Sequence, residues 1–117
     1  MSKIEEFNAY RSRMNERMLS ADSKIIKRVF NLDTNTYQAG ALDVKTKELM
    51  GLTSSLSLRC EDCIRYHISS AIEAGASERE IIECFEVCLV VGGTIMIPEL
   101  RRAFEFLDEV LKAKVSQ

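Results

Sequence analysis

The stretch Cys60-Glu61-Asp62-Cys63-Ile64-Arg65-Tyr66-His67 joins a CxxC pair to the only histidine in a chain of 117 residues. A helix advances about 100° and about 1.5 Å per residue, so Cys60, Cys63 and His67 fall within a sector about 60° wide, with Cys63 and His67 one turn apart. Dithiol redox exchange needs a nucleophilic thiolate and a second thiol near enough to resolve the adduct, and this spacing supplies both. His67 adds a base, and Glu48 on the preceding predicted helix is a carboxylate that could orient the imidazole and stabilise its charged form. Glu48 stands beside an apolar stripe, flanked by Leu49 and Leu52. It reads either as a partly buried functional group or as a surface partner of Lys45 or Lys47.

The rival chemistry is metal ligation. Cys60-x2-Cys63 is followed by Cys84-x3-Cys88, and four-cysteine zinc sites use pairs of comparable separation; Cys60, Cys63 and His67 with an open position is a second possibility. Two features weigh against it. The second pair lies inside an apolar helix rather than on a turn, and in the four-cysteine version His67 is left unexplained. Cys84 and Cys88 read instead as small buried hydrophobes, and their i, i+4 spacing does not suit a disulfide. We therefore expect no metal and no cofactor.

The elements that must position these groups are all helical. Residues 3–19 carry Ile4, Phe7, Met14 and Met18 on one stripe, and Asp22 or Ser23 caps a second helix with Ile25, Ile26, Val29 and Phe30. Residues 31–42 are rich in turn formers and predict a connection with at most one short helical turn. Asp43 is the N-cap of a helix through Val44, Glu48, Leu49, Leu52, Leu56 and Leu58. A short link, Ser57-Leu58-Arg59, leads to a helix from Cys60 to about Ala74, stopped at Gly75. The partial positive charge at its start favours thiolate at Cys60 and, less strongly, at Cys63, whereas Glu61 and Asp62 oppose it.

Ser77 and Glu80 form a capping box for a helix whose Ile81–Val91 stretch is apolar nearly all round, with only Glu83 and Glu86 as charges. Such a helix is buried on most sides, and a chain of this size has few layers to surround it, so we expect a subunit interface there. Gly92-Gly93 permits a break. Pro98 suits the first turn of a last helix, whose buried stripe is Leu100, Ala103, Phe104, Leu107, Val110 and Leu111. Arg101 with Glu105 and Asp108 with Lys112 are spaced as surface ion pairs, and Val115-Ser116-Gln117 should fray. No segment alternates like a strand. The reading is one all-α domain, with an N-terminal helical arm over 1–40 and a core over 41–114.

Composition narrows the function. Hydrophobic residues make up 46% and charged residues 29%, an ordinary globular balance, and the net charge of -2 comes from interleaved signs. No basic patch favours nucleic acid, and no apolar run suggests a leader or a membrane span. The cytoplasm is the expected compartment, where four cysteines are more often reduced, catalytic or metal-bound than structural bridges.

The spacing Glu48-x11-Cys60-x2-Cys63-x3-His67, followed by a small-residue break and Ser77-Glu78-Arg79-Glu80, resembles the alkylhydroperoxidase D-like branch of the carboxymuconolactone decarboxylase family. The resemblance covers about residues 40–112. It implies an all-helical oligomer, commonly a trimer or hexamer, whose two motif cysteines cycle between dithiol and disulfide. Such proteins reduce peroxides or a partner protein's disulfide, served by a glutamate-histidine-water proton relay. Carried over, it implies Glu48 and His67 as relay, Cys63 as the activated thiol and Cys60 as its disulfide partner. The expected partners are a hydroperoxide or disulfide substrate and a dithiol reductant, of which a lipoyl group is one candidate. Asp62 is a departure, since some members have a second histidine there, and an acidic neighbour makes thiolate formation harder. The family's decarboxylase branch, a lyase chemistry that does not rely on the dithiol, is the alternative activity, and a zinc-stabilised helical binding module is the alternative from a different class.

Overall fold

A computed structural model describes residues 2–115. Its elements are α1 (Lys3–Leu19), α2 (Lys24–Thr36), α3 (Val44–Ser57), α4 (Glu61–Glu73), α5 (Glu78–Gly92), a single 3-10 turn (Thr94–Met96) and α6 (Ile97–Val115). No strand occurs among the described residues, as the patterning predicts. No helix among them is long and apolar enough to cross a membrane. The expected fraying involves Ser116 and Gln117, which lie outside the described residues; α6 itself reaches Val115.

The chain divides into two compact units, Met1–Gln38 and Ala39–Gln117. In the first, Ser2 and Glu5 form a capping box that opens α1, and Ser23 accepts the Ile26 amide to open α2. Of their apolar residues only Phe7 is buried; Ile25 and Val29, expected to pack, are exposed. The segment expected to be a connection after residue 31 proves helical as far as Thr36. The turn-forming side chains there are absorbed by the helix: the Thr34 and Thr36 hydroxyls donate back to the Phe30 and Leu32 carbonyls at 3.0 and 2.7 Å.

In the second unit, α3 packs against both α4 and α5, and α4 against α6. Asp43 caps α3 by accepting the Thr46 amide at 2.8 Å, and the Thr46 hydroxyl and amide hold its carboxyl below the usual value. Ser77 and Glu80 make the capping box of α5, and Glu80 also meets Lys45 of α3 at 3.0 Å, so the caps of neighbouring helices are tied together. Leu52, Leu56, Ile68, Ile81, Phe85 and Leu107 are almost wholly buried, each contributing about 1.5–3 kcal/mol of hydrophobic stabilisation.

Two expected burials differ. Leu58 is the C-cap of α3 and points outward. On α6 the buried aromatic is Phe106 rather than Phe104. Arg65 of α4 stacks over the Phe106 ring at 5.6 Å, whereas Phe104, at the edge of the stripe, makes an edge-on contact 4.9 Å from Phe85. On α5 only Ile81, Phe85 and Cys88 are buried, and Val87, Val90 and Val91 remain exposed, Val90 to 86%.

Candidate active site

Cys60 is the N-cap of α4, and its sulfur accepts the Cys63 amide at 3.3 Å. Ser, Thr, Asp or Asn ordinarily fills this position, because an oxygen there satisfies an amide that has no partner within the helix. Here sulfur takes that place, so the cap that starts the helix is also the first thiol of the pair. Cys60 and Cys63 are joined in a disulfide, their Cα atoms 5.3 Å apart. Cys60 is half-buried and Cys63 is exposed, so the pair lies at the protein surface.

One turn beyond Cys63 on the same helix, His67 is buried, at 8% exposure. Its Nδ1 lies 2.8 Å from Oε1 of Glu48, which is itself only 5% exposed. A carboxylate only accepts, so Nδ1 carries the proton and donates it. α3 brings Glu48 to this point because its inward face carries Leu52 and Leu56 against α4, and Glu48 stands one turn before Leu52 on that face. Of the two readings of Glu48 open in the sequence, the geometry is that of the buried group. A buried polar pair of this kind is tolerated because each partner satisfies the other.

The four residues singled out in the sequence are thus arranged as a surface disulfide at the start of α4 and, one turn further along, a buried imidazole paired with the carboxylate of Glu48 from α3. The acidic neighbours differ from each other. Glu61 is engaged by Arg65 at 2.7 Å and by Arg102 at 3.9 Å, while Asp62 is exposed. Arg102 and Glu99, on α6, carried no signal in the sequence as neighbours of the motif.

Cys84 and Cys88 are free thiols on α5. Cys88 is buried as expected of a small hydrophobe; Cys84 is only half-buried, its thiol 3.8 Å from the Leu49 carbonyl. Burial pushes both thiols up from their ordinary value, and the acidic Glu80 and Glu83 push Cys84 further. Among the described residues, no group of three or more His, Cys, Asp or Glu side chains is gathered in a way that could hold a metal ion. The four-cysteine arrangement considered from the spacing does not assemble.

Comparison with known proteins agrees with this architecture. The sequence pattern of the carboxymuconolactone decarboxylase family matches residues 24–109, beginning at α2. Among curated proteins, an uncharacterised protein of the cox locus of Paracoccus denitrificans is 30% identical over 71 residues, 61% of this chain and 64% of that protein. An uncharacterised protein of Cupriavidus necator is 29% identical over 56 residues, 48% of this chain and 50% of that one. The chain therefore spans between half and two thirds of the length of these relatives. A crystal structure of a carboxymuconolactone decarboxylase family protein from Thermotoga maritima, for which involvement in an antioxidative response has been suggested, superposes with a TM-score of 0.90 at 50% identity, covering 95% of this chain and 94% of that one. An apo protein of the family from Legionella pneumophila shares the fold at 21% identity, with a TM-score of 0.84 over 94% of this chain and 98% of that one. With nearly three quarters of its length inside the family pattern and a 50% identical relative matched over 95% of it, the chain belongs to the carboxymuconolactone decarboxylase family.

Proposed function

We propose that this protein is a dithiol oxidoreductase that reduces hydroperoxides or partner disulfides through Cys60 and Cys63, with an antioxidant role in the cytoplasm. The observation that carries the reading is the 2.8 Å contact between Glu48 and His67, buried one turn from a cysteine pair. With Nδ1–H donated to Glu48, the neutral imidazole has its basic lone pair on Nε2. His67 then takes the Cys63 proton, directly or through a water. The Cys63 thiolate attacks the terminal oxygen of a hydroperoxide, forming an S–O bond and breaking O–O, and the departing alkoxide recovers a proton from the imidazolium. Cys60 displaces water from the resulting sulfenic acid to give the disulfide. A dithiol reductant, of which a lipoyl group is one chemical example, returns two electrons and two protons. The suggested antioxidative response of the Thermotoga relative supports the same setting.

The test is thiol titration before and after one equivalent of hydroperoxide. Reduced protein is expected to lose two thiols, assigned to Cys60 and Cys63 by peptide mapping, while Cys84 and Cys88, raised by burial, stay reduced. Loss of a single thiol, or loss from α5 instead, contradicts the reading.

We further propose that the chain works as a homo-oligomer, a trimer or hexamer, with α5 at the contact. The support is the run of exposed Val87, Val90 and Val91 beside a helix face already used for the core. Val90→Glu is expected to drop the sedimenting species to the 13.3 kDa monomer. A wild-type chain that already sediments as a monomer at micromolar concentration refutes it.

A further inference from the structure

Two of the connections in the second unit end their preceding helix in the same way. At the end of α4, the Gly75 amide donates to Ile72 and the Ala76 amide to Ala71, at 3.0 and 2.9 Å, with Gly75 at φ +100°. At the end of α3, the Arg59 amide donates to Leu56 and the Cys60 amide to Ser55, both at 3.0 Å. This is the Schellman pattern, which needs a left-handed residue and ordinarily uses glycine. The second instance uses arginine, at φ +59°, and a side chain with a Cβ pays for that conformation with about 1 kcal/mol or more. The strained residue immediately precedes Cys60.

The Arg59 side chain has a partner on α6. Its Nε lies 3.7 Å from Oε1 of Glu99 on α6, a carboxylate whose side chain is 8% exposed. Arg102, one turn along α6, meets the same oxygen at 2.8 Å and reaches Oε2 of Glu61 at 3.9 Å. Arg59 and Glu61 are the two sequence neighbours of Cys60. The chain of ion pairs therefore runs from one neighbour, through Glu99 and Arg102, to the other, and closes on α6 around the first cysteine.

We propose that Glu99 is a positioning residue for the dithiol, the buried anchor through which α6 holds the backbone on both sides of Cys60. This rests on the dithiol reading above. Fixing Cys60 favours closure of the pair, because a thiol held near its partner loses less freedom on forming the bond. Glu99 also balances Arg59 and Arg102, whose positive charge would otherwise favour thiolates over the disulfide. Both effects of Glu99 favour the disulfide, so its loss should favour the dithiol.

The experiment equilibrates the full-length protein in dithiothreitol buffers of graded oxidised-to-reduced ratio. The reagent gives two electrons and two protons to the disulfide and closes to its own cyclic disulfide, and the trapped free thiols are counted. Glu99→Gln is expected to move the dithiol–disulfide equilibrium about tenfold toward the dithiol, about 30 mV less negative, with a thermal melt verifying that the variant is folded. Arg59→Gly carries the test if that variant does not fold, because glycine suits the left-handed position. Removing a positive charge alone would push toward the disulfide, so a shift of about threefold toward the dithiol identifies positioning as the dominant effect. Folded variants within twofold of wild type, or Arg59→Gly shifted toward the disulfide, overturn the assignment of Glu99. A wild-type pair that does not titrate reversibly overturns the dithiol reading itself.

Discussion

Cys63→Ser is expected to abolish hydroperoxide reduction, with a loss of at least about 10³-fold in kcat/KM measured with a dithiol reductant such as dihydrolipoamide. The exposed thiol is the only member of the pair with buried base chemistry one turn away on its own helix, and a serine oxygen has no counterpart of the sulfenic acid that a hydroperoxide forms on sulfur. Cys60→Ser differs in kind. It leaves an oxygen at the N-cap, so α4 should form at least as well, and it retains the first oxidation step while blocking disulfide closure. Trapping a sulfenic acid on Cys63 in Cys60→Ser, and none in Cys63→Ser, checks the order of attack. The opposite pattern would exchange the two roles, and hydroperoxide reduction retained by both variants would remove the pair from the reaction. An activity of the lyase type would be unaffected by either change.

His67→Ala should slow oxidation of the pair by about 10²–10⁴-fold near neutral pH, the usual worth of a positioned base. The loss should shrink as the pH rises toward about 8.5, where an ordinary thiol ionises unaided. That pH profile separates a proton-transfer role from a collapse of the site, which would lower activity at every pH. Glu48→Ala carries a second signature. It leaves the Nδ1–H of a buried imidazole without its acceptor, at a cost of about 1–3 kcal/mol in unfolding free energy read from denaturant titration. Glu48→Gln keeps an acceptor oxygen in place and should recover most of the stability while remaining slower than wild type. If Glu48→Ala is as stable and as active as the parent protein, the buried pair has no part in the chemistry.

How much of this could be read without coordinates depended on how far apart the interacting groups lie. The Ser77–Glu80 box, the Asp43 cap, the Cys60 start of α4 and the one-turn step from Cys63 to His67 are contacts within four residues, where helix geometry alone dictates who meets whom. Glu48 is a different case. Periodicity set it beside an apolar stripe but did not separate a buried role from a surface pair with Lys45 or Lys47, and only the resemblance of its spacing to a known motif favoured the former. In the structure Lys45 turns to Glu80 and Glu48 turns inward to His67. The helical course of α2 as far as Thr36 was hidden because turn-forming residues have an alternative use, donating their hydroxyls back along a helix.

By itself, the amino-acid sequence determined the order of the helices, the caps of α3 and α5, and a dithiol with a base on one helical face, because hydrogen bonds and side-chain directions within a helix repeat with a period of 3.6 residues and need no partner. The tertiary structure decided that Phe106 and not Phe104 enters the core, that Val87, Val90 and Val91 of α5 are exposed, and that Glu99 and Arg102 of α6 reach the two neighbours of Cys60. Those outcomes depend on the crossing angle and axial register of one helix against another. They follow from the summed packing of many side chains, and no short stretch of sequence encodes them.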